Sequence, residues 1–251
     1  MAANHDLLLS IFPFEKGWYA ARAPKLRVEF VGHPIVERFA KAAGRRPPGE
    51  SGSSPCAVLL PGSRTDEVRR HLPVLLGALH RLKSEIGALR AIMVLPSEAL
   101  AQQAHSVGLP AGVVVQVGRL PHALAQADVA IAKSGTITLE CAFFGVPTVV
   151  FYRTSWPTYL LGRASVNVKH VAMPNLLADA EVFPEFIQDT ATAGNIARAA
   201  LDLLRDDARR QAVQARLAEV ISSLGGPGAN ARAAEAIAGL LRSKASPASA
   251  P

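Results

Sequence analysis

Residues 127–153 read ADVAIAKSGTITLECAFFGVPTVVFYR, and this stretch decides how the rest of the chain is organised. Two short apolar runs, 129–132 and 148–152, flank a Ser134-Gly135-Thr136 turn and a helical segment closed by Gly145-Val146-Pro147. β-Branched runs of about five residues bounded by Gly and Pro are the pattern of strands buried on both faces of a parallel sheet. The segment is therefore predicted to be a βαβ unit whose helix begins just after Ser-Gly-Thr. Small residues at that turn let a phosphate approach the backbone, and a helix N-terminus offers unpaired N–H groups and a positive dipole end. Glu140 falls one helical turn further along the same face, within reach of ribose hydroxyls. The pattern points to the nucleotide end of a nucleotide-sugar site. The same strand–turn–helix is also plain scaffold in many doubly wound proteins, so the rest of the chain has to decide.

Working back towards the N-terminus, 57–60 is a further strand, followed directly by Pro61-Gly62-Ser63-Arg64 and a helix from about Asp66. Val68, Leu72, Leu75, Leu76, Leu79, Leu82 and Ile86 keep one apolar face on that helix. Pro73 is expected to interrupt or kink it. Thr65, Asp66 and Glu67 sit where a cap and first-turn acids belong. Strands at 91–95 and 113–117, with helices at 97–107 and 121–127, complete an alternation that spells a doubly wound parallel sheet with right-handed crossovers. Ligands in such sheets lie beyond the strand C-termini, where both the Gly62-Ser63-Arg64 and the Ser134-Gly135-Thr136 loops fall.

Beyond Arg153 the chain is predicted to pass through Trp156–Tyr159 and a short helix to a strand at 168–172 that Met173-Pro174-Asn175-Leu176-Leu177 ends. Amphipathic helices follow at 190–205 and 207–224, then Gly225-Gly226-Pro227-Gly228 and a last helix at 229–242. Residues 243–251 read as a disordered tail. At the other end, strands at 6–12 and 28–31 enclose only Pro13-Phe14-Glu15 and Gly17-Trp18-Tyr19. The second strand runs into Gly32-His33-Pro34. Two strands so close together read as the end of a domain whose beginning lies elsewhere. Residues 41–55, KAAGRRPPGESGSSP, are a linker by composition. The expected division is the incomplete end of a first domain (1–40), the linker (41–55), a Rossmann-like nucleotide-sugar domain (56–190), C-terminal helices (191–242) and the tail (243–251). No repeat at a solenoid period occurs.

The totals narrow the function classes. Hydrophobic residues at 49% and charged residues at 19% are globular values, which confines disorder to the ends. No apolar run is long enough to span a membrane, and the first residues lack the basic-then-apolar pattern of a secretory signal. Cys56 and Cys141 are far apart and form no metal-ligand spacing, so they read as two free thiols in a reducing compartment. The net charge of +7 is spread over separate pairs such as Arg45-Arg46, Arg69-Arg70 and Arg209-Arg210. That distribution suits anionic small molecules or an anionic membrane surface. It argues against nucleic acid, because no basic run is interleaved with aromatics.

Six blocks carry a family resemblance: FPFEKGWY (12–19), FVGHP (30–34), LLPGSRTDEVRRHLP (59–73), SGTITLE (134–140), GVPTVVFYR (145–153) and MPNLLAD (173–179). Each is weak alone. In this order they resemble the lipid-A-disaccharide synthase family, whose members have the two-domain glycosyltransferase-B fold, and the match covers most of 7–204. The resemblance implies an α/β, Rossmann-like second domain and an inverting hexosyl transfer. UDP-2,3-diacylglucosamine and 2,3-diacylglucosamine 1-phosphate would give a β-1,6 disaccharide 1-phosphate and UDP. It implies no cofactor and no metal; the sequence also lacks Asp-x-Asp. Gly62, Ser63, Ser134, Gly135 and Thr136 would contact phosphates, Arg64 the diphosphate or the acceptor phosphate, and Glu140 the ribose. Asn175 would lie near the sugar or phosphates and Arg153 at a ligand-facing strand end. Asn175 also reads as a turn residue after Pro, and Arg64 as an ion-pair partner of Asp66 or Glu67. His33 reads as a packing residue and Glu15 as a partner for backbone or Arg. Lys133 stands where the family has a small residue; it adds positive charge at the phosphate site or points to solvent. No residue here is identified as the general base, since the expected catalytic carboxylate has no counterpart upstream of Asp6. Expected partners are the two lipid substrates, the cytoplasmic face of the inner membrane, and a second copy or a separate N-terminal half. A non-catalytic nucleotide-sugar-binding module or remnant, and a UDP-N-acetylglucosamine 2-epimerase-like enzyme, are the alternative readings.

Overall fold

The computed structural model describes residues 4–40, 54–159 and 169–245. The chain divides into two units, residues 43–218 and residues 1–42 with 219–251. The linker reading of 41–55 falls almost wholly, and the tail reading mostly, outside the described residues.

The larger unit is built on six parallel strands: β3 (Cys56–Leu60), β4 (Arg90–Leu95), β5 (Val113–Val117), β6 (Val129–Lys133), β7 (Thr148–Tyr152) and β8 (Glu185–Ile187). They lie side by side in the order β5-β4-β3-β6-β7-β8. The order reverses between β3 and β6, and a crevice opens at such a switch point beyond the strand ends. The register Leu60↔Ala132 and Ala132↔Val150 brings the ends of three strands level there. All five residues of β3 are buried, and so is every residue of β6 and β7 except the last of each. Fully burying a Val, Leu or Ile side chain contributes roughly 1.5–3 kcal/mol, enough to hold short strands that have little stability of their own.

Helices cover this sheet: α3 (Thr65–Ile86), α4 (Glu98–Ser106), α5 (Leu120–Ala125), α6 (Ile137–Phe143), α7 (Met173–Ala178) and α8 (Ala193–Arg205). The α3 helix runs unbroken through Pro73. Val68, Leu72, Leu75, Leu79 and Leu82 on its inner face have no exposed surface, and this burial on both sides of the proline outweighs the lost backbone hydrogen bond. Its N-cap is Arg64, which makes no side-chain cap bond; Thr65 is already helical. Two expectations about the segment after β7 are overturned. Residues 173–178 are the helix α7 and not the end of a strand, and the sixth strand is the three-residue β8, where the sequence showed none. The predicted short helix and the start of the predicted strand lie in 160–168, outside the described residues.

The smaller unit holds the parallel pair β1 (Leu7–Ser10) and β2 (Arg27–Phe30), with register Leu7↔Arg27. A full helix, α1 (Pro13–Arg22), connects them where the sequence reading left only a short gap. Pro13 supplies the first helical residue, and Glu15 Oε2 accepts the Ile11 and Phe12 N–H groups at 3.2 and 3.1 Å. Glu15 is thus the backbone partner that the sequence suggested. His33 caps α2 (Pro34–Phe39) by accepting the Ile35 N–H on Nδ1 at 3.1 Å. Two further helices follow, α9 (Asp207–Ser223) and α10 (Ala229–Ala245), and the division between the units falls within α9. Arg232 of α10 donates from Nε to the Val31 carbonyl at 2.8 Å and from its terminal nitrogens to the carbonyls of Gly226 and Pro227.

Candidate functional site

At the switch point the loop after β3 and the end of β6 meet around one carboxylate. Glu67, in the first turn of α3, accepts the Ser63 N–H on Oε2 at 3.0 Å and the Lys133 ammonium on Oε1 at 3.1 Å. The Arg64 guanidinium stands 3.6 Å from the same Oε1, with 81% of its side chain exposed. Burial alone would raise the Glu67 carboxyl pKa. The Ser63 N–H, the Lys133 hydrogen bond and charge, and the Arg64 charge outweigh it and hold the pKa below the ordinary carboxylate value. Gly62 has φ +135°, and a Cβ there would stand 2.6 Å from Glu67 Oε2. Gly135 has φ +150°, and a Cβ there would stand 3.2 Å from Lys133 Nζ. Both glycines are needed for backbone shape, and Gly62 also for room.

The Ser134 N–H is donated to the Phe151 carbonyl at 2.9 Å, and its hydroxyl to the Val171 carbonyl at 2.9 Å. Thr136 is exposed at the start of α6, and Glu140 is half-buried on that helix, next to the buried Cys141. Thr138 fixes the loop, donating to the Gly135 carbonyl at 2.7 Å and accepting the Met173 N–H at 3.2 Å.

Asn175 has no exposed surface, and its amide is taken up within the protein. Nδ2 donates to the Phe183 carbonyl and to Glu185 Oε1, both at 2.7 Å, while Oδ1 accepts the Val182 and Phe183 N–H groups. Those four bonds use the full capacity that the amide offers here. Asn175 is the clamp of the α7–β8 loop in this structure, in line with the turn reading and away from a ligand-facing amide. Glu185, which sequence reasoning passed over, also accepts the Val171 and Ala172 N–H groups.

A second group of buried polar side chains shapes the rim after β7. His71 of α3 has no exposed surface; Nδ1 is 2.6 Å from the Pro61 carbonyl, and Nε2 lies 3.0 Å from the Arg153 carbonyl and 3.2 Å from the Arg153 N–H. A carbonyl only accepts, so Nδ1 carries a proton for Pro61; in the neutral ring Nε2 then accepts the Arg153 N–H, whereas a protonated Nε2 would donate to the Arg153 carbonyl. Burial lowers the His71 pKa and favours that neutral form. Gln188 holds the next residue from the other side, accepting the Thr154 N–H at 2.7 Å and donating to the Thr154 carbonyl at 3.2 Å. Gln188 does so with φ +51°, a strained conformation for a non-glycine residue. The backbone at 153–154 is therefore pinned while the Arg153 side chain stays exposed. It lines a cleft of about 220 Å³ with Arg70, Trp156 and Asp189. Another cleft, of about 640 Å³, opens beside Ser63, Arg64 and Thr65 towards Ser97, the N-cap of α4, and Gln103 on that helix. The structure thus gathers Gly62, Ser63, Arg64, Ser134 and Gly135 at one crevice, puts Arg153 on the rim at the end of the next strand, β7, and keeps Asn175 in the interior. Among the described residues no group of three or more His, Cys, Asp or Glu could hold a metal ion, and no helix is long and apolar enough to cross a membrane.

The fold and its rim define a glycosyltransferase-B-type, Rossmann-like protein. Solved structures agree on the fold: a Staphylococcus aureus MnaA–UDP complex superposes with TM-score 0.60 at 13% identity, covering 96% of this chain and 61% of the other. The UDP-N-acetylglucosamine 2-epimerase of Neisseria meningitidis bound to its UDP-sugar gives 0.58 at 11%, covering 94% and 62%. The glycosyltransferase of kitacinnamycin gives 0.51 at 20%, covering 90% and 53%. Sequence comparison is more specific. The lipid-A-disaccharide synthetase family model matches residues 1–238, and the chain belongs to that family. It is 37% identical over 228 residues to the lipid-A-disaccharide synthase of Nitrosococcus oceani and 38% identical over 246 residues to that of Alkalilimnicola ehrlichii. Those alignments cover 88% and 92% of this chain but only 58% and 63% of the two relatives.

Proposed function

We infer that this chain is the nucleotide-sugar-binding part of a lipid-A-disaccharide synthase. It would hold UDP-2,3-diacylglucosamine while the 6-hydroxyl of 2,3-diacylglucosamine 1-phosphate attacks the anomeric carbon. In that inverting step the new C–O bond forms as the bond to the diphosphate breaks. UDP leaves with the electron pair, and a base outside the residues named here takes the hydroxyl proton. The observation that carries the reading is the pair of glycine loops side by side at the sheet's switch point, in a chain whose residues 1–238 the family model matches. The diphosphate would lie between Gly62-Ser63-Arg64 and Ser134-Gly135-Thr136, with Arg64 free to close on it and Glu140 on the ribose. Arg153 would face the acceptor side. Amphiphilic substrates and a net charge of +7 support a peripheral position at the inner membrane.

The test is the thermal melt of the purified chain with and without UDP. Ligand at 100 times its dissociation constant stabilises the folded state by about 2.7 kcal/mol. The expected result is a clear upward shift that Glu140→Ala abolishes. A cooperative melt with no shift removes the nucleotide reading. Conversion of UDP-N-acetylglucosamine to its 2-epimer would replace the synthase with the epimerase alternative.

A further inference from the structure

We propose that Lys133 is a diphosphate-binding residue that Glu67 holds in reserve, the Glu67 carboxylate standing in for the ligand's phosphate until the ligand arrives. This rests on the nucleotide-sugar reading above and adds a residue and an exchange step to it. Lys133 is the last residue of β6, directly before Ser134-Gly135, and only 18% of its side chain is exposed. Its ammonium therefore sits inside the crevice and does not sweep through solvent. Its partner Glu67 is 12% exposed and comes from the opposite side, 66 residues away in sequence.

One carboxylate thus engages a cation from the β6 end and a backbone donor from the β3 loop at once. A phosphate placed between the two glycine loops would recruit those same two donors. A helix first turn favours negative charge, and the 22-residue α3 provides one beneath Glu67. The room is limited: a Cβ at Gly62 would collide with Glu67 at 2.6 Å and one at Gly135 would stand tight against Lys133 at 3.2 Å, so the pair occupies the space that these glycines leave. An incoming diphosphate replaces one anion by another. Lys133 and the Ser63 N–H change acceptor, and Glu67 turns outward, where the exposed Arg64 can follow it or close on the ligand. The ammonium is never left alone in the half-buried crevice, which is the costly state for such a group.

The exchange gives the two partners opposite signs. Removing Lys133 takes a donor from the ligand; neutralising Glu67 removes both a competitor and a like charge. The experiment titrates the full chain with UDP and with uridine, using calorimetry for the first and ligand-observed NMR for the second. The proteins are wild type, Lys133→Met, Lys133→Arg, Glu67→Gln and the double variant Lys133→Met/Glu67→Gln. Lys133→Met is expected to bind UDP at least tenfold more weakly and uridine unchanged. Glu67→Gln should bind UDP several-fold more tightly, and Lys133→Arg should keep most of the affinity. Because Lys133→Met takes the ammonium away from the partly buried Glu67 carboxylate, the double variant supplies the folded comparison. It should bind UDP tenfold more weakly than Glu67→Gln alone. Wild type binding UDP with all variants within twofold of it would overturn the exchange and leave the nucleotide site standing. Wild type binding neither UDP nor uridine would overturn the site itself, and the exchange with it.

Discussion

His71 and Gln188 show how single buried polar residues set the rim. Each uses its side chain as a substitute for backbone pairing, one on Arg153 and one on Thr154, so a loop that leaves the sheet is held as firmly as a strand. Neither has a sequence signal, because a histidine in RRHLP and a glutamine after a β-branched residue are unremarkable as text. Lys133 and Glu67 were both visible as residues, but their meeting was not, since it depends on how the first turn of α3 sits over the end of β6. His71 makes a pH prediction. Its pKa in the folded protein lies below the 6.5 of a free imidazole because it is buried. Above pH 6.5 the ring is neutral in both states and its contribution to stability is complete. As pH falls towards the folded value, the unfolded chain takes up a proton that the folded chain refuses, and stability is lost. The melting temperature should therefore fall more steeply between pH 7.5 and 5.5 in wild type than in His71→Gln. His33, also lowered by burial, is present in both proteins and cancels from the difference. The Glu67 carboxyl, held below its usual range, titrates under this window. Equal slopes for the two proteins would mean that His71 takes up its proton without opening the structure.

At the scale of elements, β3, β4, β5, β6 and β7 were legible to within a residue at each end. Each is a short apolar run bounded by Gly, Pro or charge, and in β3, β4, β6 and β7 burial on both faces reinforces the pattern, while β5 at the sheet edge has no buried residue. The misreadings have physical causes too. The α1 segment hides because Gly17 and clustered aromatics dilute helix propensity and none of its residues is buried, so no apolar period marks it. The α7 helix hides behind Pro174, which suits the start of a short helix as well as the end of a strand. The β8 strand has only three residues, and no period can be read from three. The α3 helix offers the mechanical test. Pro73 is exposed in its middle, and its ring prevents the N–H bond to the Arg69 carbonyl. Pro73→Ala restores that bond, while the freer unfolded chain takes back roughly 0.4–1 kcal/mol. A net gain of about 2 kcal/mol is expected, read as a higher urea midpoint at unchanged slope, given that proline costs ~3 kcal/mol against alanine inside a helix. No gain would show that helix bending has already absorbed the missing bond.

For the molecule as a whole, the two cysteines report whether the sheet unit unfolds as one body. Cys56 opens β3, the central strand, with 1% of its surface exposed, and Cys141 lies on α6 with none. Both are free thiols, as the sequence suggested. Burial pushes the Cys141 thiol pKa up to about 12, so almost no thiolate exists at neutral pH, and the thiolate is the form that reacts. A disulfide reagent added to the native chain should therefore label neither cysteine on the timescale in which it labels both in denaturant. The informative quantity is the denaturant dependence. The β3 strand pairs with β4 and β6, while α6 is tied through Thr138 to the start of α7. If these contacts form one cooperative core, both thiols become reactive along a single curve that overlays loss of helical signal. UDP at saturating concentration would move that curve as a whole to higher denaturant. If Cys141 reacts at lower denaturant than Cys56, α6 opens while the central strand still holds. The Ser134-Gly135-Thr136 loop and Glu140 would then belong to a locally mobile segment, and UDP should protect Cys141 selectively by closing it.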